Sequence, residues 1–306
     1  MQIPIEIAEI KPYLAVIGYN CREEIPRCLD PWVNHVQGFI LGDGKFPEYP
    51  GSNDYSTDGW LDFAYDRYKD AVDVQLYRYA GRQQDKRQRY LDIAGELKCD
   101  YLIVMDTDDY IDPSYQDFNT FYRQLVLLDR VTKDRTYFMY EWIPSPEEWP
   151  AQGNYFMPNA WRHSVRIHKD PGTMRYCANS HYRWCPKEIT DKQIYDWEHE
   201  RFEAKRKLGM STMMDPPFHF DNPFLFQTRN FVDGVRIKMD RCLRSKEQIE
   251  AGAEWAFLNQ HEERFGEHCA IQVSAGRTPP EGFESWTAYR NTPHKFDKET
   301  GKIILL

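Results

Sequence analysis

The sequence predicts an α/β protein: a mixed, mainly parallel sheet flanked by helices, with a C-terminal helical extension. Three observations carry this. The run Tyr101-Leu-Ile-Val-Met105 is apolar without alternation, as in a strand covered on both faces. The chain opens with a strand, a helix and a second strand. Four aspartates, Asp106, Asp108, Asp109 and Asp112, follow the apolar run at once, at the strand end where open α/β sheets place their ligands.

The elements follow in order. PYLAVIGYN, residues 12–20, is the first strand, and its Gly-Tyr-Asn ending suits a turn. Ile25, Cys28, Leu29 and Trp32 have helical spacing, and VQGFIL, residues 36–41, is the second strand, stopped by Gly42-Asp43-Gly44. Residues 45–59 have no period and form a long loop beside Asp43, a length that is often functional. A helix over 58–69 and a strand over 72–79 come next. In RQQDKRQRYLDIAGELK, residues 82–98, Tyr90, Leu91, Ala94 and Leu97 share one helix face, and Arg82, Lys86 and Arg89 another. That cationic face is either a solvated surface or, beside the helix N-terminus, a phosphate cradle.

Beyond the acidic loop the pattern predicts a helix over 114–130, capped near Asp112-Pro113, and a strand over 135–142. An irregular aromatic segment leads into WRHSVRIHK and MRYCANSHYRW, read as paired strands, and a charged helix over 188–207. Helices are expected from 226 to about 244 and onward to about 265. The domain reading is one α/β domain over 1–225, in two halves over 12–113 and 114–225. Helices over 226–274 pack on it, and 275–306 is a surface tail.

Composition sets limits. Of the 306 residues, 41% are hydrophobic and 15% aromatic, which excludes a disordered chain. A net charge of −9 opposes generic nucleic-acid binding, although a local basic groove is compatible with it. No stretch reaches the roughly 18 apolar residues of a membrane span, and the N-terminus lacks a signal-peptide pattern. A soluble, cytoplasmic protein with reduced thiols is expected, since seven cysteines form no dense framework. A structural zinc site from Cys177, His181 and Cys185, with His163 and His168 upstream, is a competing reading.

The acids have two readings. Asp106 and Asp108, at i and i+2 on a strand end, converge on a hard divalent cation such as Mg²⁺ or Mn²⁺, because four acids with no base nearby in sequence repel one another. Asp109 and Asp112 suit a turn that bonds backbone N–H groups. His219, between two phenylalanines in FHF, is either a core residue or a further metal ligand.

Taken in order, YLAVIGYN with its Asn-Cys-Arg-Glu helix start, Asp43, GRQQDKRQRYLDIA and VMDTDDYI resemble nucleotide-sugar glycosyltransferases of the GT-A fold, most closely the family 2 type, over roughly residues 12–230. The resemblance implies a Rossmann-like sheet and a UDP- or GDP-sugar donor, with a hexosyltransferase activity. It implies that Asp43 contacts the nucleoside, that Asp106 and Asp108 manage ribose and a metal ion, and that His219 completes the metal shell. Arg82 or Lys86 would help to neutralise the diphosphate leaving group. The sequence departs from inverting members in lacking a Glu-Asp pair. NSHYRW stands there instead, and His181 is the candidate base, although it also suits sugar binding, zinc or packing. The acceptor, whether glycan, lipid, protein or modified nucleic acid, is not written in these motifs. Two alternatives stand beside sugar transfer: a nucleotidyltransferase using the same metal site, and a non-catalytic module binding carbohydrate or nucleic acid.

Overall fold

The computed structural model describes residues 10, 12–45, 53–143, 160–177, 184–207, 223–226, 230–239, 282, 294–297 and 302–305. The chain divides into two compact units. One comprises Met1–Lys45, Asp54–Glu141 and Arg162–Lys238, and the other Phe46–Asn53, Trp142–Trp161 and Met239–Leu306.

The first unit is built on strands β1 (Pro12–Gly18), β2 (Gly38–Asp43), β3 (Asp73–Arg78), β4 (Tyr101–Asp106), β5 (Asp109–Gln116), β6 (Thr136–Ile143), β7 (Ala160–Lys169) and β10 (Phe231–Met239). They form an eight-stranded sheet in the order β3-β2-β1-β4-β7-β6-β10-β5. β1, β2 and β4 are apolar and buried almost throughout, as the lack of alternation predicts. β3 is an edge strand of the sheet and mixes exposed with half-buried residues. Pairing is parallel from β3 through β2 and β1 to β4, and antiparallel where β7 joins β4.

Helices α1 (Ile25–Leu29), α2 (Trp60–Tyr68) and α3 (Gln83–Glu96) connect the parallel strands. After β3 the chain crosses back over β1 to enter β4, so the strand order reverses between β1 and β4. A crevice opens at such a switch point. The register carries Gly18 of β1 level with Asp43 of β2, Asp43 level with Arg78 of β3, and Ile17 level with Asp106 of β4. The carboxyl edge therefore gathers residues that lie far apart in sequence.

Helix α4 (Phe118–Val131) buries Phe118, Phe121, Tyr122 and Leu125, a stripe at helical spacing. Trp32 meets Phe118 and Phe121 edge to face at 5.1 and 6.0 Å. On the other face, α3 closes onto the Pro171–Thr173 turn through Gly95 and Gly172: a Cβ on Gly95 would stand 2.6 Å from the Gly172 Cα. Strands β8 (Met174–Tyr176) and β9 (Trp184–Pro186) form a small hairpin, followed by α5 (Asp191–Lys207). In the second unit, β11 (His294–Asp297) pairs antiparallel with β12 (Lys302–Leu305).

Three expectations are corrected. The helix expected from 114 starts at Phe118, because β5 continues to Gln116 and Asp117, not Asp112, caps it by accepting from the Thr120 N–H at 3.0 Å. The helix expected from 226 to 244 is, over residues 231–239, the strand β10. Its buried residues Val232, Val235 and Ile237 break the two-residue period at Gly234, whose φ is +99°. A Cβ there would stand 2.6 Å from the Asp117 carbonyl and the Phe121 nitrogen, so glycine lets β10 approach the start of α4. Finally, β7 pairs with β4, and Met174–Tyr176 pairs with Trp184–Pro186, so WRHSVRIHK and MRYCANSHYRW are not partners. The rest of the expected C-terminal helices, most of the expected tail and the aromatic segment 144–159 lie outside the described residues. No helix among the described residues is long and apolar enough to cross a membrane.

Candidate active site

Asp43 ends β2 and is almost fully buried. Its Oδ1 accepts from the Ser56 hydroxyl at 2.5 Å and from the Trp60 indole N–H at 3.1 Å, and its Oδ2 from the Ser56 backbone N–H at 3.2 Å. Arg78 Nε, from the neighbouring strand, stands 3.9 Å away. The same segment is tied to the end of β1. The Asn20 N–H donates to Ser56 Oγ at 2.8 Å, and Asn20 Oδ1 accepts from the Thr57 N–H at 2.9 Å. Asp58 takes the Arg22 N–H at 2.9 Å and that of Trp60 at 3.1 Å. Asp43 thus anchors the later part of the long loop onto the carboxyl edge.

The acidic turn between β4 and β5 is closed by Asp109, whose Oδ2 accepts from the Asp106 N–H at 2.8 Å. Arg87 of α3 pairs with Asp106 Oδ1 at 2.9 Å, and Arg166 of β7 with Asp106 Oδ2 at 3.2 Å. Arg166 also reaches Asp109 and Glu141 of β6, each at 3.0 Å. The premise that these acids have no base at hand is therefore corrected: the bases are folded in from 19 and 60 residues away. Asp106 keeps a side chain 31% exposed, whereas Asp108 is buried to 5%. Burial drives the carboxyl of Asp109 well above the usual range, against the pull of Arg166. Asp112, expected in a turn, lies within β5. It accepts from the Ser114 N–H at 3.0 Å and pairs with Lys238 at 3.0 Å, and these contacts outweigh burial and lower its pKa.

The oxygen-rich set suits Mn²⁺ or Mg²⁺ in chemistry but not in arrangement. Among the described residues no three His, Cys, Asp or Glu side chains are grouped to hold a metal ion. Both oxygens of Asp106 face guanidinium groups, which repel a cation. The described residues therefore do not fit a divalent metal by themselves. His219, the expected third ligand, and His181, the expected base, lie outside the described residues. Cys177 and Cys185 are buried in an apolar cluster with Ile194 and Leu225. His168 is fully buried with its ring 4.8 Å from that of Trp184, and burial lowers its pKa to about 3.

The two cations expected at the diphosphate diverge. Arg82 precedes α3, stays exposed and pairs with Asp85 at 3.0 Å. Lys86 is buried, with its ammonium donating to the Gly44 carbonyl just past Asp43. Burial brings its pKa from 10.5 down to about 7, opposed by the charge of Asp43. A folded state that holds this proton less tightly than the unfolded chain gains stability as pH rises from about 7 towards 10. Melting temperature is therefore expected to climb between pH 7 and 9.5 in the wild type relative to Lys86→Met, and parallel curves would contradict it.

The sequence reading missed Arg87, Arg166, Glu141, Ser56 and Trp60. Arg87 stands with Tyr90, Leu91 and Ala94 at i, i+3, i+4 and i+7, a spacing that places it on the buried face. Arg166 and His168 alternate with Ile167 on β7, and all three are buried, so one face of that strand carries polar side chains into the interior. Glu141, Ser56 and Trp60 carry no such signal.

No protein-family model and no curated protein matches the sequence. Among solved structures, the chain is similar to S. aureus TarS 1-349 in complex with UDP-GlcNAc, with 15% identity and a TM-score of 0.32 over 49% of this chain and 37% of that one. It is also similar to a 4-diphosphocytidyl-2C-methyl-D-erythritol synthase, with 11% identity and a TM-score of 0.35 over 66% of this chain and 86% of that one. A mannose-1-phosphate geranyltransferase from Thermus thermophilus matches with 12% identity and a TM-score of 0.31 over 88% of this chain and 66% of that one.

Proposed function

We propose that this chain is a glycosyltransferase that moves a sugar, a hexose in the first instance, from a UDP- or GDP-linked donor to an acceptor hydroxyl. The observation that carries this reading is Asp106: a partly exposed carboxylate at the switch point of a parallel sheet, fixed on both oxygens by buried guanidiniums. A carboxylate oxygen can accept more than one hydrogen bond. A carboxylate held this way suits the two hydroxyls of a ribose, and the anchored 54–60 segment beside Asp43 forms the neighbouring wall.

In the reaction the bond between the anomeric carbon and the diphosphate oxygen breaks. The acceptor oxygen bonds to that carbon, and its proton passes to a base, for which His181 is the candidate. The nucleoside diphosphate leaves with the electron pair, so no covalent enzyme intermediate is required. Asp106, held by Arg87 and Arg166, binds and orients the donor in this reading.

The test is a panel of nucleotide sugars incubated with the protein, in EDTA and in Mn²⁺, with release of nucleoside diphosphate as the readout. Slow, donor-selective hydrolysis is expected. Pyrophosphate release from a nucleoside triphosphate and a sugar 1-phosphate, without donor hydrolysis, would replace sugar transfer by nucleotidyl transfer. Ligand binding with no turnover under any condition would leave a binding module.

A further inference from the structure

The geometry points to Arg166 as the residue that positions Asp106, and through it sets the preference of the site for a ribonucleotide over its 2′-deoxy form. This rests on the donor reading above. Arg166 lies on β7 with its side chain 6% exposed, too enclosed to be a ligand contact itself. Its guanidinium joins three strands: Asp106 at the end of β4, Asp109 at the start of β5 and Glu141 within β6. Asp109 also holds the Asp106 backbone N–H. One guanidinium thus governs both the main chain and the side chain of the one acid in this group that reaches solvent, while Arg87 restrains its other oxygen.

A purely structural role explains this arrangement poorly. Asp109 and Glu141 are both buried beside the same nitrogen of Arg166, and among the described residues Asp109 Oδ1 has no hydrogen-bond partner. Packed apolar side chains of similar volume are often at least as stable as a buried ionic group of this kind. What the ionic group adds is a fixed carboxylate direction, and discrimination by hydrogen bonding depends on direction. A site built to bond a hydroxyl favours the ligand that carries it over the analogue that lacks it.

The experiment compares the affinities of UDP and 2′-deoxy-UDP, and of GDP and 2′-deoxy-GDP, in the wild type, Asp106→Asn, Arg166→Met and Arg166→Lys, with a thermal melt of each. The wild type is expected to prefer the ribonucleotide by about tenfold, the value of one hydrogen bond to a charged group. Arg166→Met and Asp106→Asn should bring that ratio to below about twofold. Arg166→Lys should restore part of it, since an ammonium keeps the charge and loses the planar fork. An unchanged ratio in a folded Arg166→Met overturns the inference. If that variant does not fold, an unchanged ratio in Arg166→Lys overturns it and a reduced one supports it. A wild type that hydrolyses donor yet binds both forms alike also overturns it and leaves sugar transfer standing. A wild type that neither binds nucleotide nor hydrolyses donor overturns both.

Discussion

Asp106→Ala is expected to abolish donor turnover and to destabilise the fold by about 2 to 4 kcal/mol. A strand-end acid in solvent would be removable without such a cost. This one neutralises Arg87 and Arg166, whose side chains are only 9% and 6% exposed. Removing one partner of a buried ion pair costs about 3 to 5 kcal/mol, because the other charge stays buried and uncompensated. Asp106 is itself nearly one-third exposed, so solvent screening lowers that figure. Arg166 would retain Asp109 and Glu141, whereas Arg87 would lose the acid at 2.9 Å. Asp106→Asn should be milder in stability and nearly as severe in turnover, since an amide keeps the shape and one acceptor but not the charge. Urea unfolding of both variants, beside donor hydrolysis, checks this. A wild-type unfolding midpoint for Asp106→Ala would show that the two arginines do not depend on it.

The parts of the fold legible in the sequence were those with an unbroken local period. β1, β2 and β4 are apolar without alternation, and α3 and α4 carry clear stripes, so their existence and type follow from residue order. β10 was misread because Gly234 interrupts its alternation, and the reason for that glycine lies in α4, more than a hundred residues earlier. The start of α4 differs because Asp112-Pro113 reads as a cap, whereas β5 extends to Gln116 and leaves that role to Asp117.

The site divides in the same way. Asp106 stands out in the sequence because it ends a strand, and Asp43 through the family resemblance; the parallel register brings both to one edge of the sheet. The partners of Asp106 cannot be found by spacing, since Arg166 reaches Asp106, Asp109 and Glu141 through sheet order rather than chain order. Lys86 shows the opposite error. Helical spacing grouped it with Arg82 on a charged face, yet its ammonium is drawn inward to the Gly44 carbonyl. Periodicity assigns a face to a side chain. It does not say what that face meets.

Asp43→Ala is expected to lower stability by about 2 to 4 kcal/mol and to raise the KM for donor about tenfold or more, with a smaller change in kcat. The stability term follows from burial. Asp43 is 1% exposed and accepts from Ser56 twice and from Trp60, itself fully buried, so its loss strands donors that water cannot reach. Ser56→Ala removes the hydroxyl but leaves the carboxylate on the indole N–H, and should cost about 1 kcal/mol. The KM effect has two possible routes, direct contact with the nucleoside or anchorage of residues 54–60. A double-mutant cycle separates them. Trp60→Phe deletes the indole N–H that donates to Asp43 and keeps an aromatic ring in the core. If Asp43 acts by anchoring the loop, Trp60→Phe should raise KM on its own, and the double variant should be little worse than Asp43→Ala, because the two substitutions break one connection. If Asp43 touches the nucleoside, the two effects on KM should multiply. The burial of Asp43 and its bonds to Ser56 and Trp60 favour the anchoring route, so a strongly less-than-additive cycle is expected, and an additive one would return Asp43 to the nucleoside itself.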